Sequence, residues 1–184
     1  MTPTEREFAL KGLDDSRERL VGIVRGLSRE QLAYRSDPDR WSIAENLEHI
    51  ILVEKFVLGA LRGPANQATG LSRQSRWEGR DQLFMKKLAE DRVERFQAPE
   101  RFRPSGRWPA ETLVAEFDAA RVFSREFAAS TPADLRSRFF LHPAPAIGEI
   151  DGYQLLLLIG AHCDRHCKQS DEVKTFRLFP RQSD

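Results

Sequence analysis

The chain has four histidines, His49, His142, His162 and His166, and its chemistry starts there. His162 and His166 are four residues apart. In a helix that spacing puts both rings on one face, about 6 Å apart along the axis, close enough to share one ion. They continue the apolar stripe of Leu155, Leu158 and Ile159. His49 sits in a second stripe of this kind, where steps of three or four residues meet Glu45, Leu52 and Phe56. Three neutral imidazoles with an open position suit Zn, Ni or Fe(II). Each residue also has a plainer reading. A lone histidine on an apolar face is commonly a hydrogen-bonded core residue, and an i, i+4 pair can equally be packing. Spacing alone leaves both readings standing, because it does not say that the two helices meet.

Several neighbours are weighed against these three. Glu45, one turn before His49, can orient the free nitrogen of that ring, or can serve only as the acid of a helix cap. His142 precedes a proline in a loop and is a candidate extra ligand. Gln169, three residues past His166, can touch the same ion or face solvent. Cys163 and Cys167 each follow a candidate ligand by one residue, a rotation of about 100°, so they should point away and pack in the core. Their spacing suits neither a disulfide nor a C-x-x-C redox site. Trp41 reads as a core anchor.

Helices must position these groups. Residues from about 4 to 28 carry Leu13, Leu20, Ile23, Val24 and Leu27 on one side, with Ala9 and Ser16 in the same stripe. Gly12, Gly22 and Gly26 weaken this helix. Ser42 followed by Glu45 predicts a capping box and a second helix to about Leu61, closed by Gly63-Pro64. A third helix is expected from about 110 to 129. The fourth is capped by Asp151 and reaches at least Val173, with a first half apolar all round. Between the second and third, residues 62–109 read as a long crossover in which Glu78 to Gln97 can be helical. No convincing alternating strand is found.

The run Trp41-Ser42-Ile43-Ala44-Glu45-Asn46-Leu47-Glu48-His49 resembles the W-S-x-x-E-x-x-x-H segment of the DinB-like superfamily. His142-Pro143 with Gly148, and His162 to Gln169, resemble its H-P-x-x-G and H-x-x-R-H-x-x-Q segments, in the same order over roughly residues 5–172. The resemblance implies an all-α, up-down-down-up four-helix bundle with a long crossover between helices two and three. It also implies a divalent metal held by His49, His162 and His166. Members of that superfamily include transferases and isomerases that use a low-molecular-weight thiol, and metal-dependent hydrolases. The expected function is therefore a metal-dependent S-transferase or hydrolase. The competing reading is a non-catalytic, stress-related protein with a structural metal.

Composition narrows the partners. The chain has 184 residues, enough for one domain spanning 1–184, with 40% apolar and 31% charged residues. Twenty-nine basic side chains against 28 acidic ones leave no field for nucleic acid. The longest apolar run, Leu155 to Ile159, is far short of the roughly 18 to 20 residues that span a bilayer. The N-terminal residues are charged and polar, unlike a secretory signal. A small-molecule substrate and a cytoplasmic location are expected, with a homodimer as an allowed assembly.

Overall fold

The computed structural model describes residues 1–63, 71, 74–90 and 97–181. It is an all-α structure with one small hairpin. The elements are α1 (Pro3–Val24), α2 (Arg29–Ala33), α3 (Ile43–Arg62), α4 (Asp81–Glu90), α5 (Leu113–Ser130), β1 (Phe139–Leu141), β2 (Glu149–Asp151) and α6 (Gly152–Lys174).

Local sequence explains most of the boundaries. Thr2 and Glu5 form a capping box with Pro3 in the first turn of α1. Ser42–Glu45 and Asp151–Gln154 cap α3 and α6 in the same reciprocal way. The first helix ends four residues before the expected limit. Gly26 adopts φ 74°, a left-handed conformation that stops the helix, and Ser28 then caps the short α2, which the periodicity did not reveal. The crossover does contain a helix, α4, but residues 91–96 of the expected stretch lie outside the described residues. The hairpin corrects the expectation of no strand. Phe139 pairs with Asp151, Phe140 with Ile150 and Leu141 with Glu149.

Each long helix packs on two others: α1 on α5 and α6, and α3 on α5 and α6. Contacts between them fix direction. Glu5 accepts from the Tyr153 hydroxyl near the start of α1 and α6, and the Lys174 amine reaches the Ile23 carbonyl near their ends, so the two run parallel. Between these contacts Gly160 lets the backbones close up, since a Cβ there would lie 3.0 Å from the Gly12 oxygen. Helices α3 and α6 run antiparallel, with Asn46 beside His166 and His49 beside His162. The Arg121 guanidinium is buried among α1, α3 and α5. It makes a paired contact with Glu54 at 2.9 and 3.1 Å and donates to the Ser16 hydroxyl and the Leu13 carbonyl. Helix α6 lies against α1, α3 and α4, which is why its first half is buried on every side. Among the described residues no helix is long and apolar enough to cross a membrane.

Candidate metal centre

The two halves of the predicted site meet because α3 and α6 are antiparallel neighbours. One ligand-type nitrogen from each of His49, His162 and His166 lies within 4.8 Å of the others. Ring centroids are 4.9, 4.6 and 4.5 Å apart around the triangle. The Nε2 atoms of His49 and His162 are 3.1 Å apart. Two nitrogens that each sit about 2.0–2.1 Å from one ion are separated by roughly 3 Å, so this spacing suits a shared ion.

The Nδ1 atoms of His49 and His166 are held by hydrogen bonds that set the tautomers of those two rings. His49 Nδ1 lies 2.7 Å from the Phe102 carbonyl, which can only accept, so Nδ1 carries the proton and Nε2 keeps its lone pair. His166 Nδ1 lies 2.8 Å from Asn46 Oδ1. Asn46 donates its amide nitrogen to the Ser42 carbonyl, which fixes the oxygen toward His166 and leaves that ring's Nε2 unprotonated. Burial lowers the pKa of His49. His162 is lowered well below the ordinary value, first by the protein packed around its ring, then by the charge that His166, His49 and Arg165 would add beside it. Near pH 7 these two rings are neutral, the form that coordinates metal. On donor type and spacing, and for His49 and His166 on tautomer, the residues fit a divalent ion.

The remaining candidates are placed as follows. Glu45 completes the α3 capping box, donating nothing and accepting from Ser42 N at 2.8 Å, and it is also paired with Arg35. The group orienting His49 is thus the Phe102 carbonyl rather than the Glu45 carboxylate. His142 lies in the hairpin loop, on the wall of the same cleft but outside the cluster of three. Its Nδ1 accepts the Ala144 N–H at 3.0 Å, so the neutral ring presents Nε2–H, a donor and not a metal ligand. Burial brings its pKa down to about 4. Gln169 is half-buried in the cleft wall, with no hydrogen bond among the described residues. Cys163 and Cys167 are fully buried on the far side of α6, with the Cys163 sulfur 3.6 Å from the Ser16 carbonyl. A hydrogen bond with Cys163, together with burial, pushes the Cys167 thiol far up, so it is no nucleophile. Trp41 is no core anchor. It is only half-buried and packs 4.8 Å from the His49 ring and 6.2 Å from the His166 ring.

Two supports escaped the sequence reading. Asn46 is three residues before His49 on the same helix face, and a buried Asn inside a helix is unfavourable unless its amide is used, which was a legible signal. Phe102 acts through its backbone and had none. Its segment is held in turn by Glu48, whose buried carboxylate accepts from the N–H groups of Ser105, Gly106 and Arg107.

Above the three histidines opens a cleft of about 1690 Å³, walled by α3, α6, the hairpin loop and the segment around Phe102. A helical protein with three convergent imidazoles on the floor of such a cleft belongs to the class of candidate metalloproteins. The sequence model of the DinB superfamily matches residues 12–170, and the chain belongs to that superfamily. No curated protein matches the sequence.

Proposed function

We propose that this protein is a metal-dependent enzyme that transfers a low-molecular-weight thiol to an electrophilic small molecule, with His49, His162 and His166 as the metal ligands. One observation carries the reading. The three ligand-type imidazoles line an open cleft with no fourth protein ligand among the described residues, as a site that exchanges a small molecule requires and a closed structural site does not. A divalent ion held there supplies Lewis acidity toward a thiol or a water. In the transfer, the thiol gives up its proton to solvent, its sulfur bonds the electrophilic carbon, and the leaving group departs with its bonding pair. Hydrolysis is the second reading. It needs a general base beside the attacking water, and the two carboxylates within one turn before His49 are committed elsewhere, Glu45 to Ser42 and Arg35 and Glu48 to the amides of Ser105 and Gly106.

In the same reading the four long helices form one up-down-down-up bundle over residues 1–184. The parallel course of α1 and α6 and the antiparallel course of α3 and α6 support it. The test is elemental analysis of the purified protein, followed by a panel of small thiols with a chromogenic electrophile. Conjugation should depend on bound metal, vanish on chelation and be absent in His49→Ala, with the helical circular dichroism retained. Full activity after chelation defeats the proposal, and unfolding on chelation alone promotes the structural-metal reading.

A further inference from the structure

The cleft has an unbalanced charge. Among the described residues, seven basic side chains line it against three acidic ones, on a chain whose total excess is only one. Some of this charge is internally matched: Arg35 pairs with Glu45, and Lys55 with Glu116. Arg101 is not matched by any acidic partner among the described residues. Its guanidinium carbon lies 4.5 Å from the centroid of the Phe56 ring and 4.8 Å from that of Phe102. Contact with these two rings, whose planes lie 70° apart, holds the guanidinium in place without using its N–H fork, the group that pairs with the two oxygens of a carboxylate.

The position of Arg101 relative to the histidines is set by two links. Arg101 directly precedes Phe102, whose carbonyl holds His49. Phe56 is two turns beyond His49 on α3, roughly 10 Å along the axis. The guanidinium and the imidazole nitrogens therefore mark the two ends of one wall of the cleft, about the length of a small extended molecule. The segment is also braced, since Glu48 fixes the three amides that follow it.

We propose that Arg101 is an anion anchor, and that the molecule bound in this cleft carries a carboxylate seated on its guanidinium while the other end meets the three histidines. This deepens the functional reading above and rests on it for the identity of that other end.

Two measurements separate the parts. In cobalt(II)-loaded protein, the sulfur-to-metal charge-transfer band reports thiol binding without turnover. Mercaptohexanoate should bind about tenfold to a hundredfold tighter than mercaptohexanol, which matches it in length but lacks the charge. Arg101→Met should remove that preference, bringing the acid to the affinity of the alcohol, and Arg101→Lys should restore only part of it. In chelated protein, the Arg101 Nε–H resonance, assigned by its loss in Arg101→Lys, should shift with hexanoate and stay fixed with hexanol. Equal affinities for the two thiols, or a resonance indifferent to hexanoate, overturn the anchor. A hexanoate shift without any sulfur band supports the anchor and defeats the thiol reading instead.

Discussion

Asn46 does two jobs with one amide: its nitrogen donates to the Ser42 carbonyl at the start of α3, and its oxygen accepts a hydrogen bond from His166 Nδ1–H. Asn46→Ala should leave α3 intact, because Ala is the better helix former. It should also free the His166 ring to rotate or change tautomer. Losing a group that orients a ligand typically costs 10–100-fold in metal affinity, and that is the drop expected in a competition titration against a chromogenic chelator. Unchanged affinity would mean that packing against Trp41 and His49 alone holds the ring. At this scale the three imidazoles were legible as candidates from their places on apolar faces, while their grouping as one ligand set was an expectation that the resemblance supplied. The groups that aim them were harder to read. Phe102 contributes a carbonyl, which every residue has, and its partner is 53 residues away in sequence. Glu45 was the natural candidate because it lies one turn from His49, yet proximity along a helix favoured the local cap over the ring.

Among the elements, helix limits were read well where capping side chains mark them, as at Ser42 and Asp151. They were misread where a single backbone conformation decided, as at Gly26. The hairpin was missed because strands of three residues are too short to display alternation. Residues 97–112, ahead of α5, were legible only as part of a crossover, since what holds them is a tertiary contact. Glu48, buried inside α3, accepts from Ser105 and Gly106 at 2.9 Å each and from Arg107 at 3.3 Å. Such charge-assisted bonds from backbone amides are the stronger kind. Glu48→Ala leaves those amides in need of water. Hydrogen exchange should therefore accelerate at Ser105 to Arg107 by roughly 10–100-fold, the equivalent of about 1.4–2.7 kcal/mol. Amides in the middle of α1 should be unaffected. The same variant should weaken metal binding through Phe102 and His49. Acceleration spread evenly over all helices would point to loss of global stability and not to a local brace.

For the whole molecule, periodicity predicted four long helices but not their neighbours; the order of motifs along the chain supplied that expectation. What joins the helices internally is partly ionic, in the buried pair of Arg121 and Glu54, and nothing in the sequence singled out those two residues from the other charges. The protein's response to acid follows from its buried imidazoles. His142 has a folded pKa of about 4 against an ordinary value of 6.5, and burial lowers His49 in the same direction. Between those two values the unfolded chain takes up protons that the native state refuses, so unfolding becomes easier as pH falls. The contribution of His142 is fully present above about pH 6.5 and fully lost below about 4. Across that window it is worth about 3 kcal/mol, at 1.36 kcal/mol for each pH unit. The urea midpoint of the metal-free protein should accordingly fall steadily from about pH 6.5 to 4, while far-ultraviolet circular dichroism at neutral pH stays native. His142→Asn, which can still accept the Ala144 N–H through its side-chain oxygen, should flatten much of that fall and leave the residual slope of the other histidines. A variant with the wild-type slope would show that His142 is not held neutral by the fold.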